Sequence, residues 1–359
     1  MKNIYALLLG LSLTIVACTK PQDQAVSPSP DASSTTTTQT SDQKGQNKPL
    51  VVTTVAPLTN IVSNIAGDRV EVQGIIPEGT DSHTFEPRPS DADLLSKANL
   101  ILVNGLNLEV PTGKLAEASK PKETKIYELG NNTITKEQWM FDFSFPKDKG
   151  DPNPHLWVNP KYAEAYAKLA AEQLTQLDPE GKDYYATNLK NYLQRLDDLD
   201  KATRAVVASI PEKNRKLLTY HDSWAYWARE YGFEVIGAVQ PSDFKEPSAK
   251  DLSKLVDQIR KSGVPAIFGS EVYPSKVAEQ IAREAKVKTA NTADDELPGQ
   301  DGSANAMENK NPEHTYIGMM VNNLRIIAES LGGNPDLVKT LNTANVVGPT
   351  ATASGTTSK

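Results

Sequence analysis

Apolar and polar positions alternate with two different periods along the middle of the chain. Short apolar runs such as LVVTTV (residues 50–55), NLILVNG (99–105) and PAIFGS (265–270) predict buried β-strands. Between such runs, apolar residues recur every three or four positions, which predicts amphipathic helices. One of these helices is expected to begin with Ser90 as its N-cap and Asp93 three residues on. Strands in alternation with helices predict an α/β fold with parallel sheets.

One helical stretch is much longer than the others. From Asp178 to Ile210 the apolar residues follow three- and four-residue steps, and no proline interrupts them between Pro179 and Pro211. Some thirty residues at 1.5 Å each give a helix of about 45 Å, which exceeds one small domain. We therefore expect the helix to run along or between two similar α/β units.

Both ends of the chain differ from this central part. The first residues, MKNIYALLLGLSLTIVACTK, combine Lys2 with an apolar run from Ile4 to Val16, which is too short to span a bilayer of about 30 Å. IVAC resembles the lipobox of bacterial lipoproteins, in which Cys18 would carry the lipid; the alternative is an ordinary signal peptide with an incidental cysteine. Residues 19–49 and the last dozen residues are rich in Ser, Thr and other polar residues, and predict disorder.

These boundaries divide the chain into six parts. We expect a signal peptide of the lipoprotein type (1–17), a disordered tether (18–48), an N-terminal α/β lobe (49–177), a long connecting helix (178–210), a C-terminal α/β lobe (211–347) and a disordered tail (348–359).

Charge and composition limit the choice of partner. The 359 residues carry a formal net charge of -7, and the sequence has no dense Lys/Arg tract. Nucleic-acid binding requires a concentrated positive face, so no nucleic-acid partner is expected. The negative net charge is more compatible with a cation as the ligand.

Three of the four histidines occupy comparable places. His83 follows a predicted strand, His155 precedes a predicted helix, and His221 directly follows the strand KLLTY. The carboxyl ends of parallel strands form one rim, where ligands bind, so these side chains are expected to meet in the cleft between the two units. A fourth ligand is expected from Asp294 or Asp295, which follow a further short strand. Imidazole and carboxylate together suit Zn²⁺, although ligands this far apart in sequence match no local metal motif.

Four other residues have weaker signals. Glu271 follows a strand and either caps the next helix or orients a ligand histidine. Trp157 lies beside His155 and is expected to line the cleft. Asp222 is interpreted as a helix N-cap, and His314 as a solvated residue near the start of the last helix.

Four segments together resemble the solute-binding proteins of zinc and manganese ABC importers. They are GTDSHTFEPRPSDADLLSKANLILVNGLNLE (79–109), DPNPHLWVNP (151–160), HDSWAYWAREYGFEVIG (221–237), and ADDELPGQDG (293–302) with TYIGMMVNNLRIIAESLGG (315–333). The resemblance covers Pro49 to Gly333. It implies two (β/α) domains, each a mostly parallel sheet with flanking helices, joined by one long rigid helix, with the metal between them.

Within that family the expected ligands are His83, His155, His221 and one Asp. Alignment with the family's T-D-S-L places this Asp at Asp295, with Asp294 as the alternative. Histidine at the third position is typical of zinc-type members and Glu of manganese-type members, and nitrogen ligands also favour Zn²⁺ over Mn²⁺. One departure is that QWMFDFSFPKDKGDPNP, before the second ligand, lacks the histidines that many zinc members carry there.

The resemblance implies a carrier rather than an enzyme. We expect a monomeric, extracytoplasmic Zn²⁺-binding protein, in the periplasm or at the cell surface, anchored to the membrane by lipid at Cys18, that delivers metal to an ABC importer permease. The alternatives are a Mn²⁺ or Fe²⁺ carrier on the same fold and a zinc-dependent hydrolase. The hydrolase would need an open coordination position, and no H-E-x-x-H helix is present. A second role in cell adhesion stays open.

Overall fold

Two four-stranded parallel sheets form the framework of the described residues. The computed structural model describes residues 48–245, 247–270, 276–292, 295–298 and 314–347. Its strands are β1 (Leu50–Thr53), β2 (Glu71–Gly74), β3 (Leu100–Val103), β4 (Lys125–Glu128), β5 (Lys216–Thr219), β6 (Glu234–Ala238), β7 (Ala266–Ser270) and β8 (Lys288–Thr292). The first sheet has the order β2-β1-β3-β4 and the second the order β6-β5-β7-β8, with every neighbouring pair parallel.

Nine α-helices connect and flank these strands in the same described residues. They are α1 (Ala56–Ala66), α2 (Pro89–Leu95), α3 (Val110–Ser119), α4 (Pro160–Leu177), α5 (Lys182–Ser209), α6 (Ala225–Tyr231), α7 (Ala249–Ser262), α8 (Lys276–Ala285) and α9 (Tyr316–Leu331). The predicted α/β fold with two mostly parallel sheets is confirmed. The predicted signal peptide, residues 18–47 of the tether with Cys18, and the tail at 348–359 lie outside the described residues.

The strand order creates a crevice at the same place in each sheet. From β1 the chain crosses to β2 on one side and then returns past β1 to β3 on the other, and β5, β6 and β7 repeat this path. Ligands bind outside the carboxyl ends of parallel strands at such a reversal. The loops after β2, β5 and β8 start from the carboxyl edges of the two sheets, and β5 borders the reversal itself.

Helix α5 is the long connecting helix. It has 28 residues, or about 42 Å, and a short 3₁₀ turn at Pro179–Gly181 precedes it. It packs against α1 and α4 beside the first sheet and against α9 beside the second. Within the described residues, no helix combines the length and the apolar character needed to cross a bilayer.

The core has two parts. The larger cluster extends from the first sheet through α1, α4, α5 and α9 to one face of the second sheet, where Leu217 and Phe268 belong to it. A smaller cluster fills the opposite face of the second sheet, beneath α7 and α8, and includes Leu218 and Ile267. Because alternate strand residues point to opposite faces, each of these neighbouring pairs divides between the two clusters.

The prediction of Ser90 as an N-cap was wrong. Helix α2 begins at Pro89, with Arg88 as the N-cap and the Asp91 carboxylate accepting a hydrogen bond from the Arg88 backbone N–H. Proline is well suited to the first helical position because its φ is already helical and its missing N–H is not needed there. Pro89 is therefore the helix-start signal that applies here, and the neighbouring Ser-x-x-Asp pattern lies inside the helix.

Candidate metal centre

His83 lies in the loop after β2, and side-chain contacts give this loop its shape. The Asp81 carboxylate accepts from the His83 backbone N–H at 2.9 Å and from the Thr84 hydroxyl at 2.9 Å. Phe244 stacks on the imidazole with a centroid distance of 4.4 Å and an interplanar angle of 15°. Phe145 contacts it from another direction at 5.6 Å. His83 remains half-buried, so it is the part of the site nearest to solvent.

His155 is completely buried, and Asn153 determines its orientation. The Asn153 Oδ1 atom accepts from the His155 backbone N–H at 3.0 Å and lies 2.8 Å from His155 Nδ1. The Asn153 Nδ2 group donates to the Asp222 main-chain oxygen at 2.7 Å, so the amide oxygen must be the atom that faces the histidine. His155 Nδ1 therefore carries the proton, and the Nε2 lone pair points into the site.

His221 comes two residues after β5 and is also completely buried. Its main-chain oxygen accepts from the Thr219 hydroxyl at 2.6 Å, and its Nδ1 atom lies 2.6 Å from Gln240 Oε1. Gln240, in the loop after β6, thus plays the part for His221 that Asn153 plays for His155. An acceptor behind a histidine fixes its tautomer and ring direction, as is usual around metal sites.

The three histidines converge. Their ligand atoms all lie within 4.8 Å of one another, and His155 Nε2 is 3.0 Å from both His83 Nε2 and His221 Nε2. A tetrahedral zinc ion bound at 2.0–2.1 Å would separate neighbouring nitrogens by about 3.3 Å, which is close to both of these 3.0 Å separations.

Asp295 completes the arrangement. Its Oδ2 atom is 3.4 Å from His155 Nε2, and its Oδ1 atom is 3.8 Å from His221 Nε2. The residue is fully buried, and among the described residues neither carboxylate oxygen has a hydrogen-bond partner. A buried carboxylate without donors is costly unless a cation compensates it, and the convergent lone pairs mark the place for one.

Burial shifts the pKa values of three of the proposed ligands toward their neutral forms. It lowers the pKa of His83 and of His155 well below the usual histidine value, and positive charge on His221 would lower both further. Burial also raises the pKa of Asp295, and it raises that of the adjacent Glu296 well above the usual value, with Asp295 adding to the effect. The metal-free site therefore disfavours charge of either sign, and a divalent ion would reverse this for Asp295.

A pair of buried carboxyls links the segment before His155 to the loop of His221. The Asp222 Oδ2 atom accepts from the Ser144 backbone N–H at 2.8 Å, and the Asp142 Oδ2 atom accepts from Asn153 Nδ2 at 2.8 Å. Burial, with the neighbouring Asp222 as the second cause, raises the pKa of Asp142 to about 9. The prediction that Asp222 is a helix N-cap was wrong, because α6 begins at Ala225 with Trp224 as its N-cap.

The structure also locates the other predicted residues. The Trp157 indole N–H donates to the Asp295 main-chain oxygen at 2.8 Å, and its ring packs edge-on against His155. His314 is buried, with Nδ1 at 2.8 Å from Glu78 Oε2, so its interpretation as a solvated residue was wrong, although it does lie near the start of α9. Glu271 and Asp294 lie outside the described residues.

Comparison with known proteins identifies the family. Residues 51–330 match the family model described as the periplasmic component A of a zinc-uptake complex. The chain belongs to this family. It is a metal-binding solute-binding protein of the ABC transporter type, a binding protein rather than an enzyme.

Relatives in this family are named for different metals. The zinc-binding protein TroA of Treponema pallidum is 31% identical over 295 residues, which cover 81% of this chain and 91% of the relative. The manganese ABC transporter substrate-binding lipoprotein PsaA of Streptococcus anginosus is 29% identical over 294 residues, with the same coverage of 81% and 91%.

Solved structures give the same answer for the fold. The structure of the T. pallidum periplasmic zinc-binding protein TroA matches with a TM-score of 0.69 and 30% identity, over 79% of this chain and 99% of the other. A manganese-bound periplasmic metal-binding protein from Candidatus Liberibacter asiaticus matches with a TM-score of 0.67 and 25% identity, over 79% and 100%.

Proposed function

We propose that this protein carries Zn²⁺ to the membrane permease of an ABC importer. The ligands are His83 Nε2, His155 Nε2, His221 Nε2 and the Asp295 carboxylate. The observation that carries the proposal is the convergence of three imidazole nitrogens and one unpartnered carboxylate at a single point.

The donor set supports zinc over manganese. Four protein ligands in tetrahedral array are typical of Zn²⁺, whereas Mn²⁺ prefers oxygen donors and a higher coordination number. Four ligands also leave no open position for an activated water, which suits carriage of the ion rather than hydrolysis.

The location follows from the same proposal. Lipid at Cys18 anchors the protein outside the cytoplasm, and residues 18–48 tether the two lobes (49–177 and 211–347) to the membrane. Two or three acyl chains give stable anchoring, because each buried methylene contributes about 0.8 kcal/mol. The protein works as a monomer, with residues 178–210 joining its lobes.

Native mass spectrometry of the metal-stripped protein tests the metal and the ligands together. We expect one Zn²⁺ per chain, retained when excess Mn²⁺ is present. His155→Gln should lose the bound ion, whereas His314→Gln, a matched change at the histidine outside the ligand set, should keep it. Equal retention by both variants, or preference for Mn²⁺, would contradict the proposal.

A further inference from the structure

The chain does not end at α9 but returns to the first lobe. Residues 341–347, which we call the C-terminal strap, lie against α1, although the family match ends at residue 330. In the strap, Asn345 Oδ1 accepts from Asn60 Nδ2 at 3.1 Å and from Asn64 Nδ2 at 2.9 Å. The Val346 backbone N–H donates to Asn64 Oδ1 at 2.8 Å.

The strap also contacts two other helices. The Thr315 hydroxyl, at the N-cap of α9, donates to the Thr343 main-chain oxygen at 2.6 Å. Arg195, on α5, donates to the main-chain oxygens of Asn342 and Ala344. The strap therefore joins α1, α5 and the first turn of α9.

Asn345 is one of three groups that hold the Asn60 amide in its orientation. Asn60 is 1% exposed; its Nδ2 group donates to Asn345, and its Oδ1 atom accepts from the Tyr316 backbone N–H at 3.0 Å and from Asn64 Nδ2 at 3.2 Å. If the amide turned over, its NH₂ group would face the Tyr316 N–H, donor against donor. The strap thus secures a hydrogen bond in the first turn of α9, where the backbone N–H groups have no partner within the helix.

Tyr316 leads from this turn to the metal centre. Its hydroxyl donates to the Trp157 main-chain oxygen at 2.7 Å, and the Trp157 indole N–H donates to the Asp295 main-chain oxygen at 2.8 Å. Both aromatic side chains are fully buried. Trp157 is two residues from His155, so this path reaches one proposed ligand from each lobe.

We propose that Asn345 is a positioning residue for the metal centre: it helps to hold Asn60, and through Tyr316 and Trp157 it keeps Asp295 in its place at the bound ion. The proposal rests on the function proposed above. Loss of the strap contact weakens the hold on Trp157 and on the Asp295 main chain, so the ion leaves faster while the ligands themselves are unchanged.

The substitution Asn345→Leu in the full chain tests this positioning role, because leucine has a volume similar to that of asparagine and its side chain has no hydrogen-bond acceptor. Two rates are measured: Zn²⁺ dissociation into excess chelator, and solvent exchange of the Trp157 indole N–H by NMR in metal-free protein. Both should rise by about 2- to 30-fold, the range known for substitutions that act on a site through intervening contacts. Asn345→Asp retains the acceptor and should match the wild type.

Asn334→Ala is the control. Asn334 lies between α9 and the strap, and its side chain caps only the 3₁₀ turn at Pro335–Val338, so its loss should leave both rates unchanged. The proposal is overturned if Asn345→Leu leaves both rates at the wild-type value, or if Asn345→Asp or Asn334→Ala raises them equally. If the wild type binds no zinc, the proposed function fails, and the indole exchange rate still decides the role of the strap.

Discussion

Gln240 offers the cleanest test of how the metal centre is built. Gln240→Met keeps the length of a side chain that is 4% exposed and removes the oxygen that lies 2.6 Å from His221 Nδ1. His221 is fully buried, so its Nδ1–H group would be left without an acceptor, at a cost of about 1–3 kcal/mol. The ring can avoid that cost by moving its proton to Nε2, the atom that faces His155.

That tautomer cannot bind metal through Nε2. Loss of the residue behind a metal-ligating histidine typically lowers affinity about 10- to 100-fold, which corresponds to about 1.4–2.7 kcal/mol. We expect a fall of this size for Gln240→Met in a zinc competition titration with a fluorescent chelator at pH 7.5. Gln240→Glu should change affinity in the opposite direction, because a carboxylate acceptor makes the imidazole a stronger donor to the metal.

The control makes the same chemical change away from the site. Gln173 is 3% exposed, and its oxygen accepts from Lys125 Nζ at 2.7 Å. Gln173→Met should reduce the free energy of unfolding by about 1 kcal/mol without a change in zinc affinity. If Gln240→Met binds zinc as tightly as Gln173→Met, the amide oxygen does not orient His221, and the role assigned to Gln240 in the metal centre is refuted.

Two further substitutions test the ligand set and the carboxyl pair. His221→Glu replaces a nitrogen donor by oxygen, so zinc affinity should fall at least about tenfold and the preference for Mn²⁺ should rise; an unchanged metal preference in native mass spectrometry with both ions would contradict this. Asp142, with its pKa raised from 3.8 to about 9, contributes stability that is complete below pH 3.8 and is lost as the pH rises through about 9. Asn at position 142 has no proton to lose and can donate to Asp222. The free energy of unfolding of Asp142→Asn should therefore rise relative to that of the wild type, by about 1 kcal/mol per pH unit between pH 6 and 8.5. Urea unfolding of the metal-free protein measures this difference. A constant difference would show that Asp142 keeps the same protonation state over this pH range in the folded and unfolded protein, and would contradict its raised pKa.

The fold was largely predictable because its signals are local. Apolar runs and three- to four-residue spacing marked the strands and the long helix, and the alternation implied parallel sheets. The capping error at Ser90 arose because two start signals lay side by side and the pattern of polar residues does not rank them. The proline at position 89 decided the outcome through its fixed φ.

The residues around the ligands were not predictable in the same way. His83, His155 and His221 stood out because histidine is rare in this chain and each lies beside a predicted element. Asn153 and Gln240 are ordinary polar residues in loops, and Gln240 is 19 positions from the histidine that it contacts. Phe244 gave no signal either, since an aromatic residue in a loop does not reveal that it stacks on His83. Such contacts depend on how loops from different strands meet, so no local sequence pattern predicts them.

The burial of the histidines also limits the number of protons that the protein releases when it binds zinc. Three histidines with the usual pKa of about 6.5 would together release close to three protons on binding zinc at pH 5.5. Burial lowers the pKa of His83 and His155 well below that value, so we expect both to be largely neutral at pH 5.5 and to add little to the count.

Each of the other two ligands can release at most one proton. Asp295, whose pKa is raised, must lose its proton to bind the ion, so the total over these two ligands cannot exceed two. Zinc affinity should therefore fall by no more than about two decades per pH unit near pH 5.5, because the slope equals the number of protons released. Calorimetry in buffers of different ionisation enthalpy counts these protons directly. A count of three or more would mean that at least one of His83 and His155 carries a proton on Nε2 in the metal-free protein, and would refute the effect assigned to burial.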